Sequence, residues 1–332
     1  MQLETEVMIL MATYNGEAYL ALQLDSIIAQ NYQNWKLVIR DDGSTDGTPH
    51  IIDAYAKNDA RISRITSGNI HGSAISNFSQ LVSWASAHPA DYYMFSDQDD
   101  IWKADKIAVS LHEIQAQEKI YGKLIPQLCY SNFQFIDWQG HPLPQKLYLP
   151  PQLQLGVLLN ENHAWGCTMI INAAALQVVD PIPLSAVNHD YWIALVVAAL
   201  GRTKKINHDL ILYRQHTQNV SGSVNNMTFA SRFKRYVSNR SAMLGALVAN
   251  LTTIKLFYSR YQKQLNARDS TMIASFIKAY ESGYVQLVLT LFKYRIFKLG
   301  IGKNAVYLYT LFLLQNKVIS QIKQNSQHES TL

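Results

Sequence analysis

Short apolar runs that end in polar, glycine-containing turns alternate with stretches whose apolar residues recur every three or four positions. This alternation predicts strand, helix, strand units through the first two hundred residues. Val7-Met8-Ile9-Leu10-Met11 reads as a buried strand running into the turn formers Ala12-Thr13-Tyr14-Asn15-Gly16. Leu20, Leu24, Ile27 and Ile28 share one face of a helix, residues 31–35 close it, and Lys36-Leu37-Val38-Ile39 supplies a second strand. That strand ends in Asp41-Asp42-Gly43-Ser44-Thr45-Asp46-Gly47-Thr48, followed by a helix over 49–57. A loop from residue 68 leads into a helix over 77–87, and a strand over 91–95 delivers Ser96-Asp97-Gln98-Asp99-Asp100. A helix over 107–119, a strand over 128–136 and the turn Asp137-Trp138-Gln139-Gly140 follow, then a loop marked by Pro142, Pro144, Pro150 and Pro151. Residues 164–171 read as a further strand, and Asn188-His189-Asp190-Tyr191-Trp192 opens a helical run over 193–200. Residues 203–209 lead into the apolar Leu210-Ile211-Leu212-Tyr213 and then Arg214-Gln215-His216.

Beyond Gly222 the pattern changes. Phe229, Phe233, Tyr236, Leu244, Leu247, Leu251, Ile254, Tyr258 and Tyr261 step by helical spacing, interrupted at Arg240, and predict a long amphipathic helix. Arg232, Lys234, Arg235, Lys255, Arg260 and Lys263 make it basic. A second helical stretch, 283–328, holds six Lys+Arg and no Asp or Glu.

Charge sharpens this division. The net +5 of the 332 residues hides an acidic front and a basic back: residues 1–200 carry 10 Lys+Arg against 20 Asp+Glu, residues 201–332 carry 19 against 4. No nucleic-acid motif accompanies the basic half, so its expected partner is an anionic lipid surface rather than nucleic acid. The other reading of these helices is a subdomain that packs on the core or forms a dimer, its cations merely solvated. Two cysteines, Cys129 and Cys167, are too few for a disulfide framework and read as reduced thiols of a cytosolic protein. The residues ahead of Val7 are acidic, opposite to the start of a secretory signal, and no run of 18 uninterrupted apolar residues occurs.

The chemistry lies where strands end. In open α/β sheets the carboxyl ends of the strands are where ligands bind, because the loops diverge there and helix N-termini point inward. Asp97 and Asp99, two residues apart with Asp100 beside them, need a cation to offset their repulsion, or else form a solvated turn that caps the next helix. Ser44, Thr45 or Asp46 can cap the following helix, which leaves Asp41 and Asp42 to meet the ring nitrogen of a base or a ribose hydroxyl. The segment lacks the lysine and spacing of a P-loop. By itself Asp190 reads as a helix cap, His216 as structural, and Arg214 as the partner of a surface acid.

Three motifs in this order, MATYNG, DDGSTDGT and SDQDDIW, resemble the inverting GT-A glycosyltransferases of family 2 over about residues 5–220. IRDDGSTDGT, SDQDDIWKADK and YRQH-x-x-NVSG are most similar to bacterial rhamnosyltransferases of surface polysaccharide synthesis. The resemblance implies an α/β GT-A domain over 1–222, Rossmann-like with a mixed central sheet, and a basic helical region over 223–332. It implies donor-nucleotide contacts from Thr13, Tyr14, Asn15, Asp41, Asp42, Asp97 and Arg214. Asp42 matches the base-binding acid, and Asp97, Asp99 and His216 match the holders of a Mg²⁺ or Mn²⁺ ion. Asp190 falls at the catalytic base, and Lys106 is either a solvated residue or a donor contact. The implied partners are dTDP-rhamnose, or a UDP-sugar as the alternative, and a glycan or lipid-linked glycan acceptor. The implied location is peripheral, at the inner face of the cell membrane. A nucleotide-sugar-binding scaffold without turnover is the reading from a different class; the acids Asp99 and Asp190 argue against it.

Overall fold

The computed structural model describes residues 5–66, 72–216 and 240–329. The chain divides into two compact units, one made of Met1–Leu153, His163–Leu184 and Asn188–Val224, the other of Gln154–Asn162, Ser185–Val187 and Asn225–Leu332. The expected boundary at 222/223 lies outside the described residues, as do residues 68–71 of the loop before the third helix. So do the segment Asn219-Val220-Ser221-Gly222 and the apolar and basic positions from Phe229 to Tyr236.

The first unit is built on one eight-stranded mixed sheet. Its strands are β1 (Val7–Thr13), β2 (Trp35–Asp41), β3 (Ile62–Ile65), β4 (Tyr92–Ser96), β5 (Ile101–Trp102), β6 (Gln127–Ile136), β7 (Met169–Asn172) and β8 (Arg202–Arg214), in the order β3-β2-β1-β4-β7-β6-β8-β5. The first four run parallel, β7 is antiparallel to both neighbours, and β6 and β8 are parallel to each other. Val7 to Leu10 and Tyr92 to Phe95 are buried throughout, as continuous apolar runs must be in strands covered on both faces. Helices α1 (Leu20–Ile28), α2 (Thr48–Asn58), α3 (Ala74–Ala87) and α4 (Lys106–Tyr121) flank this sheet. Chain order reverses around β1, which pairs with β2 on one side and β4 on the other. Thr13 is in register with Asp41, and Met11 with Ser96. Three loops therefore leave one sheet edge together.

The differences from the sequence reading are local. β5 is two residues long, too short for any periodicity, and pairs with Leu212 and Ile211 of β8. Residues 166–168 form a 3-10 turn before β7, after which Asn172 caps the helix α6 (Ala173–Val179) by accepting from the Ala175 N–H. Helix α7 (His189–Leu200) begins four residues earlier than its apolar run, with Asn188 at the N-cap position. β8 is one strand of 13 residues, irregular in its register to β6 near Ser131 and Asn132.

The second unit holds the short helix α5 (Leu155–Leu158), then α8 (Arg240–Tyr261), α9 (Ala267–Glu281), α10 (Tyr284–Tyr294) and α11 (Ile301–Glu329). Leu251, Ile254, Phe257, Ile273, Phe276, Leu287, Leu291, Leu311 and Val318 are its buried apolar positions. The run expected as one helical stretch over 283–328 is broken: Arg295 takes a left-handed φ of 55° at the end of α10, and Asn304 bonds the Lys298 N–H and carbonyl to stitch the turn. Among the described residues α8 is long and apolar enough to cross a membrane by length and composition, while Leu247, Leu251, Ile254 and Phe257 on it are buried within the unit.

Gly201, between α7 and β8, has no room for a side chain: a Cβ there would lie 1.9 Å from the backbone carbonyl oxygen of Pro126. Gly201→Ala is expected to cost about 1–3 kcal/mol, the range for overpacking, and to lower the melting temperature in thermal unfolding. An unchanged melting temperature would show that the ends of β6 and β8 separate freely.

Candidate active site

The loop after β1 is tied to the two loops beside it. The Tyr14 N–H donates to Gln98 Oε1 at 2.8 Å and Gln98 Nε2 donates to the Tyr14 carbonyl at 2.9 Å, so one amide side chain closes the gap between the β1 and β4 loops. A Cβ at Gly16 would lie 2.3 Å from Gln98 Oε1 and would push that amide off Tyr14. On the other side, Asn15, at φ 47°, donates its N–H to Ser44 Oγ at 2.8 Å and accepts from the Thr45 N–H at 2.9 Å. The Gly16 N–H donates to Thr48 Oγ1 and the Gly47 N–H to Glu17. Tyr14 stays half-exposed above this seam, at 51%.

The paired acids after β2 divide. Asp41, half-buried, accepts from Thr13 Oγ1 at 3.0 Å and from the Ser44 N–H at 3.0 Å. Asp42 is 1% exposed, 3.0 Å from Arg40 Nη1, and accepts the Ser73 N–H at 3.1 Å; Arg40 also reaches Asn77 Oδ1. Adjacent residues leave a strand on opposite sides, so Asp42 is turned inward as the partner of the buried Arg40 guanidinium while Asp41 stays nearer the surface. Thr13, Tyr14, Asn15 and Asp41 remain together at the loop surface.

The turn after β4 concentrates charge. Asp97 and Asp99 are half-buried and Asp100 is buried. Burial, with Asp99 and Asp190 adding repulsion, pushes Asp97 up to about 7. Burial, with Asp99 and Asp97, holds Asp100 well above the usual carboxylate range. Asp100 Oδ1 accepts the Arg214 N–H at 3.2 Å, whereas Oδ2 is buried without a hydrogen-bond partner among the described residues. Ligand atoms of Asp97, Asp100 and Cys167 lie within 4.8 Å of one another. Crowded carboxylates with a buried oxygen left over fit a hard divalent cation. The Cys167 thiol, pushed up by burial, is a poorer donor for such an ion.

His216 and Arg214 support this turn in different ways. His216 Nε2 lies 2.7 Å from Asp99 Oδ2, and its ring stacks on Tyr19 at 5.0 Å. Arg214 was expected at the donor. The structure instead buries it, with Nε donating to the Asp99 carbonyl at 2.9 Å and Nη1 to the Trp138 carbonyl at 3.0 Å, its guanidinium 4.8 Å from the Tyr19 ring. Lys106 is also buried, packing over the Trp102 ring and donating to the Cys167 carbonyl at 2.8 Å, so it is not a solvated residue. Trp165 and Cys167 pack as ordinary core, the former against Phe133 and Tyr213.

Asp190 sits in the first turn of α7, where the helix dipole favours a negative charge. Its Oδ2 accepts the Gly166 N–H at 3.2 Å and its Oδ1 the Tyr191 N–H at 2.6 Å. His189 beneath it is buried, stacked at 3.7 Å on Phe78, and pushed down to about 3 by burial, hence neutral. Its Nε2 is where a Cβ of Gly166 would fall, at 2.4 Å. Asp190 thus faces the acidic turn closely enough to raise Asp97. Sequence reasoning missed Gln98, Tyr19 and Gly166. Gln98 was visible as the residue between two motif aspartates; the other two carried no periodic or charge signal.

The chain matches the pattern of Glycosyl transferase family 2 over residues 8–177, just over half of its length. Among curated relatives, dTDP-rhamnosyl transferase RfbG of Shigella flexneri is 29% identical over 238 residues, 68% of this chain and 77% of that protein. UDP-Glc:alpha-D-GlcNAc-diphosphoundecaprenol beta-1,3-glucosyltransferase WfgD of Escherichia coli is 26% identical over 220 residues, 65% of this chain and 80% of that one. Among solved structures, S. aureus TarS 1–349 in complex with UDP-GlcNAc is similar with a TM-score of 0.57 at 14% identity, covering 97% of this chain and 89% of that chain. That likeness concerns the fold, which is GT-A, as the sequence motifs led us to expect.

The two neighbouring acids should separate experimentally. Asp42→Ala removes the carboxylate from the buried Arg40 guanidinium and is expected to cost about 3–5 kcal/mol, read as a lower melting temperature. Asp41→Asn keeps an acceptor for the Ser44 N–H and can donate to the Thr13 hydroxyl, so it should melt close to wild type, yet bind nucleoside diphosphate roughly tenfold more weakly in calorimetry. The opposite pattern would exchange their roles.

Proposed function

Because the chain belongs to glycosyltransferase family 2 and is a glycosyltransferase of GT-A fold, we propose that it transfers L-rhamnose from dTDP-rhamnose, with inversion, to a lipid-linked glycan in cell-surface polysaccharide synthesis. The observation that carries the reading is Asp190 bonded to the N–H of Gly166, the neighbour of Cys167, whose sulfur lies within 4.8 Å of the ligand atoms of Asp97 and Asp100. The likeness to the dTDP-rhamnosyl transferase RfbG supports the rhamnose donor, and the diphosphoundecaprenol acceptor in the name of WfgD supports a lipid-linked acceptor. The UDP-Glc in the same name favours the UDP-hexose form of a second reading, whose other form is a UDP-N-acetylhexosamine donor.

Thr13, Tyr14, Asn15 and Asp41 receive the nucleotide, with Asp41 the acid turned toward the base. Asp97 and Asp99, with His216 on Asp99, would hold Mg²⁺ or Mn²⁺, the spare buried oxygen of Asp100 lying beside them. When bound, the ion supplies Lewis-acid stabilisation of the departing nucleoside diphosphate. Arg214 acts through the backbone, fixing the Asp99 carbonyl and the Asp100 carboxylate in place. Asp190 removes the proton of the acceptor hydroxyl as that oxygen attacks the anomeric carbon from the face opposite the diphosphate. One C–O bond forms, the C–O bond to the diphosphate breaks, and the proton passes to the carboxylate. The Gly166 and Tyr191 N–H groups hold both Asp190 oxygens so that the attacking face is fixed before the acceptor arrives. The region 223–332 places the enzyme peripherally at the inner face of the cell membrane, near a lipid-linked acceptor; formation of a homodimer is the alternative role for it.

Asp190→Asn should lower turnover roughly 10²–10⁴-fold, the range for general-base catalysis, with donor affinity nearly unchanged, compared by nucleoside diphosphate release and calorimetry on one preparation. Near-normal turnover would assign Asp190 to the helix start alone. Asp99→Asn should abolish transfer and weaken nucleotide binding more with Mg²⁺ or Mn²⁺ than with EDTA; wild-type transfer that persists in EDTA would remove the ion from the mechanism.

A further inference from the structure

Helix α10 is apolar on two faces. It buries Leu287, Thr290 and Leu291 within the second unit, and it leaves Val285, Leu289 and Phe292 exposed by 71%, 58% and 61%. These three stand at i, i+4 and i+7, one stripe along the outside of the helix. Single exposed apolar side chains are ordinary, but a contiguous stripe marks a surface that meets something. The stripe continues onto α11, where Phe312, 64% exposed, has its ring 5.3 Å from that of Tyr284.

Charge identifies the occupant. Residues 283–328 hold six Lys+Arg and no Asp or Glu, and the exposed Lys293 and Arg295 flank Phe292. A second copy presenting the same face would set cation against cation. A nucleic acid would leave the apolar stripe in water. An anionic bilayer satisfies both parts, with headgroups for the cations and the interfacial layer for Phe and Leu. Eleven residues extend about 16 Å at 1.5 Å per residue, far short of the roughly 30 Å hydrocarbon core, so the helix lies in the interface and does not cross it.

We infer that the outer face of α10, extended by Phe312, is an insertion surface for an anionic lipid bilayer. This deepens the membrane role proposed above for the C-terminal region and rests on it. It differs from that role in assigning attachment to an apolar stripe as well as to basic charge.

The test is sedimentation of the full chain with vesicles of phosphatidylcholine alone and of phosphatidylcholine with phosphatidylglycerol, for wild type and for the double variant Leu289→Ser, Phe292→Ser. Both positions are exposed and outside the catalytic machinery, so donor hydrolysis in solution should match wild type and the melting temperature should fall only by the loss of the Phe292 ring contact with Phe297. The expected result is binding of wild type to the mixed vesicles, and a loss of roughly tenfold or more in the double variant at equal salt. Equal binding by both proteins overturns the inference and leaves attachment to basic charge alone. Absence of wild-type binding to either vesicle overturns both the inference and the membrane role. A wild-type dimer that becomes monomeric in the double variant, without vesicle binding, assigns the stripe to a second copy and overturns the inference as well.

Discussion

Four carboxylates held at one sheet edge, those of Asp97, Asp99, Asp100 and Asp190, are the constraint to which the catalytic unit is built. Burial, with repulsion from Asp99 and Asp190, raises Asp97 to about 7 from 3.8. A carboxylate raised on folding favours its protonated form, so this contribution to stability is present below pH 3.8 and is lost as the pH climbs through about 7. Without a cation, the site works against the fold at neutral pH. The surroundings show how the strain is contained. The Arg214 guanidinium grips the Asp99 and Trp138 carbonyls, and its own N–H meets Asp100. The Lys106 ammonium, buried beneath on the Cys167 carbonyl, adds positive charge from the protein side. Arg214 pins the backbone of the acidic turn, and Lys106 pins that of the neighbouring Cys167.

Binding at such an edge also requires that three loops from three strands act as one surface. The sheet alone does not ensure this, since loops are its most mobile parts. Gln98 substitutes for a missing strand by pairing with both backbone groups of Tyr14, and Asn15 does the same toward Ser44 and Thr45. The Gln98 amide lies where a Cβ of Gly16 would fall, so glycine at 16 leaves room for its pairing with Tyr14. The Arg40, Asp42 and Asn77 cluster anchors the same seam from below, with Asn77 Nδ2 donating to the Thr13 and Arg40 carbonyls.

Apolar runs and glycine-bounded turns revealed the strands β1, β2, β4 and β6, because each is buried on both faces and long enough to show it. β5 and the 3-10 turn at 166–168 were not legible, being two and three residues fixed by their tertiary partners. At the site, motif spacing indicated which residue types collect but not which way they face. Asp41 and Asp42 are indistinguishable in composition; strand direction alone turns one to the loop surface and the other to Arg40. Arg214 and His216 are two residues apart at the end of β8, yet one is spent on backbone carbonyls and the other reaches the Asp99 carboxylate. That outcome depends on Tyr19, whose ring lies against both, and no pattern in residues 214–216 points to a tyrosine two hundred positions away.

The same limit applies to helices. Spacing at three and four residues marks an apolar face, but in α10 it marks two, and only packing tells them apart. Leu287 and Leu291 satisfy the core of the second unit; Leu289 and Phe292 are equally apolar, one or two positions away, and reach water. A helix that had only to complete this unit would carry polar residues at those positions, since exposed apolar side chains add nothing to folding. Retaining leucine and phenylalanine beside Lys293 and Arg295, in a stretch without one acidic residue, is a composition that water does not reward and an anionic interface does.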